Sequence, residues 1–424
     1  MRILIQSVKV IDPSSAHHNQ AVDMLIEDGV IRTIAAAGSL KEKADKTFSQ
    51  KNLHLSAGWF DLRANFREPG FEYKEDIASG CRAAIKGGFT GVMLMPSTEP
   101  PVHSKSEVEF ILTRSAAGLV HVVPAGALSR NLAGKDMSEM YDMWVSGARA
   151  FTDDKSSVAD SGLMLRALLY ASNFGGLIMS FADDRSLSAR GQMNEGVMNV
   201  NLGMKGIPAL AEEVMILRDL FLAEYAGAPI HFSTVSTAGS VDLIRKAKAK
   251  GLKVTADVAV HNLALDETSL AGFDSNFKVM PPLRTQDDII ALKQGLKDGT
   301  IDCICSDHCP EDVENKKKEF ELAHAGIIGL ESAFGLMNKS LRDQLPLDKI
   351  IERITVNPRK VLGLECPSVK ENTRADLTLF DPAAEWIFSE GDIASKSRNT
   401  PFIGAQLVGR AIAVFNKGQM AECN

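Results

Sequence analysis

The 424-residue sequence has no apolar run approaching the roughly 18 residues needed to cross a membrane. Basic charge is not in surplus. The formal net charge is −7 with both signs interspersed, which leaves no electrostatic footprint for nucleic acid. Mild acidity of this kind favours solubility and carries no message about fold. Cysteine is also sparse. Cys81, Cys303, Cys305, Cys309, Cys366 and Cys423, spread over a chain this long, do not form a disulfide framework. Reduced thiols in a cytoplasmic protein are the expectation. The start, Met1-Arg2-Ile3-Leu4-Ile5-Gln6-Ser7-Val8-Lys9-Val10, alternates like a strand and lacks the layout of a signal peptide. Low-complexity segments, short-period repeats, a phosphate-binding P-loop and a dinucleotide fingerprint are absent as well.

What is present is apolar material, 45% of residues, enough for a large core. Length suggests two or three domains, or a barrel with an attached module. Residues 1 to 55 read as short strands, Ile3–Ile11, Ala21–Glu27 and Val30–Ala35, the last two joined by an Asp28-Gly29 turn. The tail repeats the style in Asp376–Phe380, Ala405–Leu407 and Ala411–Asn416, with breaks at Asp381-Pro382 and Lys417-Gly418. Residues 1–55 plus 366–424 are therefore expected to form one small β-sandwich-like domain from both termini. The middle, 56–365, alternates apolar runs with helical stretches. Gly91–Met95 follows a helix over Glu75–Lys86, and Leu119–Ala125 follows Glu107–Ser115. Ala148–Phe151, the helix Ser161–Asn173 and Leu177–Phe181 continue the series. Pro229–Ser233, the helix Ala238–Ala249, Lys253–Val258 and Ile301–Cys305 complete it. Such alternation argues for an α/β fold with a parallel sheet, and about eight units would close a TIM (β/α)8-type barrel.

Barrel chemistry sits at the C-terminal strand ends, so the residues after each apolar run carry the functional signal. Asp61-Leu62-Arg63-Ala64-Asn65-Phe66-Arg67-Glu68-Pro69-Gly70 is followed by Met95-Pro96-Ser97-Thr98-Glu99-Pro100 and Gly147-Ala148-Arg149-Ala150-Phe151-Thr152-Asp153-Asp154. Then come Ser180-Phe181-Ala182-Asp183-Asp184, His231-Phe232-Ser233-Thr234-Val235-Ser236-Thr237 and Ser306-Asp307-His308-Cys309-Pro310-Glu311. Asn399-Thr400-Pro401-Phe402-Ile403-Gly404 closes the set. In this order the segments resemble the dihydroorotase branch of the amidohydrolase superfamily over nearly the whole chain. The first resembles the family's Asp-x-His-x-His-x-Arg-Glu-Pro-Gly signature, with both histidine positions changed.

The resemblance implies a binuclear zinc centre of four histidines and two aspartates. Carried over residue by residue, the histidine positions are Arg63, Asn65, Phe181 and Thr234, while Asp153 (bridging) and Asp307 (ligand and general base) are kept. Zinc needs lone pairs from nitrogen, sulfur or carboxylate oxygen. Guanidinium has none to offer, phenylalanine offers nothing, and asparagine and threonine are poor ligands for this ion. No metal or other cofactor is therefore expected, and Asp307 is read as a vestigial general base. Without metal-bound hydroxide it would face bulk water of pKa about 15.7. The substrate subsite has drifted too. Arg67, which the resemblance makes a carboxylate grip, remains, but Ser97, Met280 and Glu311 replace two asparagines and a histidine.

The resemblance implies a dihydroorotase homologue of de novo pyrimidine biosynthesis, similar to the noncatalytic members that assemble with aspartate carbamoyltransferase. A pseudoenzyme that forms homo-oligomers and binds neither nucleic acid nor membrane is the expectation. The alternative is an active dihydroorotase or related cyclic amidohydrolase with a rebuilt one-metal or metal-free site, zinc being the metal where one is held, drawing on Asp153, Asp307, His231, His261, His308 and Cys309. Bland roles compete at each position. Arg67 and Glu68 are expected to form a buried pair at a turn, and Asp307-His308 to be structural rather than an acid/base pair. His231 and His261 are expected to be satisfied interior histidines. Cys303, Cys305 and Cys309 are expected to be small buried residues, and Lys316-Lys317-Lys318 a solvated loop. One sharper expectation concerns Arg63: its guanidinium takes the place of metal charge by pairing with Asp307, Asp153 or both, while Phe181 fills volume vacated by a histidine.

Overall fold

The computed structural model describes residues 1–423. The strands Trp59–Ala64, Phe89–Leu94 and His121–Pro124 form one parallel sheet, and Ala150–Phe151, Leu177–Phe181, Ile230–Ser233, Val254–Ala259 and Cys303–Cys305 form another. Parallel bridges join them into a closed barrel, Gly126 to Phe151 on one side and Ala64 to His308 on the other. In Trp59–Ala64, Phe89–Leu94, Leu177–Phe181 and Ile230–Ser233 every residue is buried. That explains the near-continuous apolar runs of the sequence, because parallel strands covered by helices face the core on both sides. Phe60, Leu62, Met93, Met179, Ala259 and Cys305 pack together inside the barrel.

Eight terminal strands form a second sheet, in the order Gln419–Glu422, Gln406–Asn416, Leu377–Ile387, His54–Ala57, Arg2–Val10, Ala21–Glu27, Val30–Ala36, with Lys46–Phe48 also paired to Arg2–Val10. The tail strands are longer than the sequence suggests. Leu377–Ile387 runs through Asp381-Pro382 by shifting register between Asp381 and Glu385, and Gln406–Asn416 is unbroken despite Gly409. Trp59 joins the two bodies, its ring 4.5 Å from that of Phe334 and 5.4 Å from that of Phe380. The segment between the long tail strands does not stay with the sheet. Asn399 donates to the carbonyls of Cys309 and Gly326, both at 3.0 Å, and accepts from the Glu311 amide at the barrel mouth.

Candidate functional site

The first barrel strand ends in Arg63, which is fully buried and points into the barrel mouth. Its Nε donates to Asp307 Oδ1 at 2.9 Å, and its Nη2 donates to Asp154 Oδ1. Lys155 adds a second cation: its Nζ donates to Asp307 Oδ2 at 2.9 Å and to the Met280 carbonyl. Asn65 Nδ2 donates to Asp154 Oδ2 at 3.0 Å and to Ser97 Oγ at 2.9 Å, and Ser97 Oγ also donates to Asp154. Two carboxylates are thus met by two cations. Burial alone would raise the Asp154 carboxyl, yet Arg63 and Lys155 with the Ser97 and Asn65 bonds hold it below the usual range. Burial likewise opposes the charge on Arg63, and Asp154 and Asp307 outweigh it, holding the guanidinium above its ordinary value.

The adjacent aspartates divide differently from the sequence expectation. Asp153 turns away from Arg63; it accepts from the Ser129 amide at 2.8 Å and from the Ser129 hydroxyl. Burial pushes its carboxyl up against those bonds. Arg63 therefore pairs with Asp307 and Asp154, and Asp153 is not its partner. Phe181 is buried in the same region, its ring 5.2 Å from Lys155 Nζ. Thr234 uses its backbone amide, donating to Asp257 Oδ1 at 2.7 Å, and its buried hydroxyl has no partner.

Arg67 is occupied by Glu311. Its Nη2 lies 3.0 Å from Glu311 Oε1 and its Nε donates to the Pro310 carbonyl at 3.2 Å. Lys74 donates to the other Glu311 oxygen at 2.8 Å. The expected Arg67–Glu68 pair is not formed, because Glu68 instead accepts from Arg114 and from the Ile77 amide at 2.9 Å. Asp307 and His308 point apart. His308 accepts from the Gly329 amide at 3.2 Å and faces Glu75 at 3.5 Å. His231 is satisfied by Thr255 and Asp257, both at 2.8 Å. His261 is not: neither ring nitrogen has a partner, and Nε2 stops 4.0 Å from Asp307. Burial lowers the His261 pKa to about 4, so its ring is neutral at neutral pH. Cys303 and Cys305 are buried, the latter within 3.3 Å of Asp257. Lys316 is buried rather than solvated, donating to the His324 and Gly326 carbonyls, and burial lowers its pKa to about 8.

An open cavity of about 250 Å³ remains at the mouth, walled by Arg67, Ser97, Asp154, Lys155, Met280 and Cys309 among others. The zinc that the resemblance implies does not fit these residues. A guanidinium and an ammonium stand against the retained aspartates, and among the described residues no group of three or more His, Cys, Asp or Glu side chains is placed to hold a metal ion. Sequence reasoning missed Lys155, Asp257 and Lys74. The signal for Lys155 was a cation directly after the strand-end Asp153-Asp154 pair.

Residues 54–240 match the family model described as Dihydro-orotase-like. The chain is 40% identical over 422 residues to a dihydroorotase of Trichlorobacter lovleyi, covering 99% of each sequence. It is 42% identical over 423 residues to a dihydroorotase of Syntrophus aciditrophicus, again covering 99% of each. Among solved structures, an L-hydantoinase (dihydropyrimidinase) from Arthrobacter aurescens is similar with a TM-score of 0.86 at 21% identity, over 99% of this chain and 96% of that one. A D-hydantoinase gives 0.83, also at 21% identity, over 99% and 95%. Both share the barrel-plus-sheet fold.

Proposed function

The chain belongs to the dihydroorotase family, and from that premise we propose that it is a member whose hydrolytic metal centre has given way to internal ion pairs. In this reading it serves de novo pyrimidine biosynthesis as a structural or regulatory subunit of aspartate carbamoyltransferase. The observation that carries the first part is the pairing of Asp307 and Asp154 with Arg63 and Lys155. Opening a cyclic amide needs an activated hydroxide and a polarised carbonyl. Here both oxygens of Asp307 accept charge-assisted hydrogen bonds, so its lone pairs are committed to cations rather than to a water proton. Arg67, which would grip a substrate carboxylate, is neutralised by Glu311. The partner rests on the resemblance to noncatalytic family members: a barrel kept for its surface can lose its ligands while its packing is retained.

Zinc content after incubation and desalting, turnover of dihydroorotate, and co-elution with aspartate carbamoyltransferase test the two parts separately. Zinc near zero, no turnover and a stable complex are expected. Stoichiometric zinc with turnover abolished by Asp307→Ala would instead establish an active cyclic amidohydrolase. One observation favours that second reading, the neutral, unpartnered His261 beside Asp307.

A further inference from the structure

Beside the mouth cavity lies a wider one. An open basin of about 740 Å³ shares Lys155 and Met280 with the mouth and is edged by Arg185, Arg190 and Lys205. The cations of the two cavities differ in their partners. Arg63, Arg67, Lys74 and Lys155 at the mouth are each paired with a carboxylate. Among the described residues, Arg185, Arg190 and Lys205 form no ion pair. All three are exposed, and Arg185 donates to the Lys155 carbonyl at 3.2 Å. Asp183, a carboxylate on the same wall, is only 7% exposed and accepts from the Ser188 hydroxyl at 3.3 Å.

The backbone fixes this edge. Asp184 caps the short turn that carries Arg185, accepting from the Ser186 amide at 2.9 Å. Gly191, next to Arg190, lies so close to Gly206 that a Cβ would come within 2.5 Å of the Gly206 carbonyl oxygen. The Gln192 amide donates to the Lys205 carbonyl at 2.8 Å, and Met193–Asn194 then pairs in parallel with Gly206–Ile207. Arg190 and Lys205 are thereby made neighbours. Arg284, buried, ties the pairing to the barrel through Asn194 at 2.8 Å and the Ile207 carbonyl at 2.9 Å. In a chain of net charge −7, this is a local surplus of unneutralised positive charge on a concave surface. A cleft lined by one sign of charge concentrates ions of the other. Guanidinium forks match phosphate oxygens two at a time, and lysine adds a point charge. Three cations around a basin of this width suit several linked anionic groups better than a single one. Beyond Met280 the mouth leaves room for an uncharged head against Leu132 and Val279.

We propose that Arg185, Arg190 and Lys205 bind the oligophosphate group of a small molecule in this basin, either free or as the phosphate chain of a nucleotide. This goes beyond the pseudoenzyme reading and does not depend on it, since Asp307 pairs with Arg63 and Lys155 and with none of these three. Calorimetric titration of the full-length chain with sodium tripolyphosphate, in about 0.15 M salt and without divalent cations, tests it. Saturable binding at one site per chain is expected. Arg190→Gln and Lys205→Gln, both at exposed positions, are each expected to weaken it about tenfold while leaving the thermal midpoint of the unliganded chain unchanged. Succinate, with two carboxylates, is expected to bind at least about tenfold more weakly than tripolyphosphate. Tighter binding of adenosine triphosphate than of tripolyphosphate would assign a nucleotide with its head in the mouth, and equal affinities the phosphate chain alone. No saturable binding of tripolyphosphate, equal affinity for succinate, or an affinity that neither substitution changes would overturn the proposal. Binding of polyglutamate in place of tripolyphosphate would overturn it too, and make the basin a docking face for an acidic protein segment.

Discussion

Arg63 offers five N–H donors and no acceptor, so burying it in the barrel mouth demands carboxylates. Asp154 and Asp307 supply them, and removing the guanidinium would leave Asp154 without its ion-pair partner and Asp307 with Lys155 alone. Arg63→Met is therefore expected to destabilise the protein by about 3–5 kcal/mol, the range for orphaning a buried ionic partner, measured by urea denaturation. Adding Asp154→Asn and Asp307→Asn to that variant should recover a large part of the loss. An unchanged midpoint for Arg63→Met would show that the pairs do not matter to folding. His261 gives a pH signature. Its pKa falls from the ordinary 6.5 to about 4 on folding because burial disfavours the charged ring. Between those values the unfolded chain binds the extra proton, so stability falls as pH falls from 6.5 towards 4. The lost contribution is about 3 kcal/mol, and His261→Gln should flatten that part of the stability profile. The changed histidine positions were legible because each stands at a fixed offset in a strand-end motif. Which of Asp153 and Asp154 faces Arg63 was not, since neighbouring residues at a strand end point to opposite sides and only the backbone, with Asp154 at φ 52°, decides between them.

Elements are set by what they bury. The helix Ile77–Gly87 starts at a capping box of Asp76 with Ser79 and stops at Gly88, whose φ of 89° suits glycine. Gly80 lies on its inner face, and a Cβ there would come within 2.4 Å of the Phe66 ring. Phe66 stands in the strand-end signature itself, edge-on to His308. Gly80→Ala is thus expected to cost about 1–3 kcal/mol by overpacking and to loosen the loop that carries Arg67, seen as a lower thermal midpoint. Phe66→Leu in the same chain should return part of the loss by making room. The strand Trp59–Ala64 did not stand out as a strand in the sequence, because Asp61 and Arg63 interrupt its apolar run. Asp61 is held within the barrel, accepting from the Ser306 amide and hydroxyl at 2.7 and 2.6 Å. The helix Ala209–Ala226 was hidden for another reason: Leu210, Val214, Leu217, Phe221 and Tyr225 are exposed while Glu212 and Asp219 are buried, which blurs the 3.6-residue period by which a surface helix is read.

At the scale of the molecule, the barrel and the terminal sheet meet along a broad seam, in which Asn338 donates to the Pro382 and Val408 carbonyls and Arg359 pairs with Asp376, and two further links stand near opposite ends of the barrel strands. Trp59 at the start of the first strand is packed among Phe89, Phe334 and Phe380, with its Nε1 donating to Ser56 at 3.0 Å. At the mouth the link is Asn399, on the chain that runs between the two long tail strands. Its side chain satisfies the carbonyls of Cys309 and Gly326 and the amide of Glu311, all within a buried setting. Glu311 in turn holds Arg67 and Lys74, so the tail segment fixes the charge network of the mouth through one side chain. Asn399→Ala leaves the Cys309 carbonyl and the Glu311 amide without a partner and the Gly326 carbonyl with Lys316 alone, each orphaned buried group carrying a penalty of about 1–3 kcal/mol where water does not replace it. A fall in stability of at least about 2 kcal/mol is expected. Trp59, at the opposite junction, should report the same transition as backbone circular dichroism in the wild type, since one cooperative unit unfolds with all probes together. If Asn399 couples the two bodies, the variant separates the two signals; coincident, unshifted transitions would mean that the rest of the seam, with the Trp59 cluster and the Asn338 and Arg359 links, joins them without it.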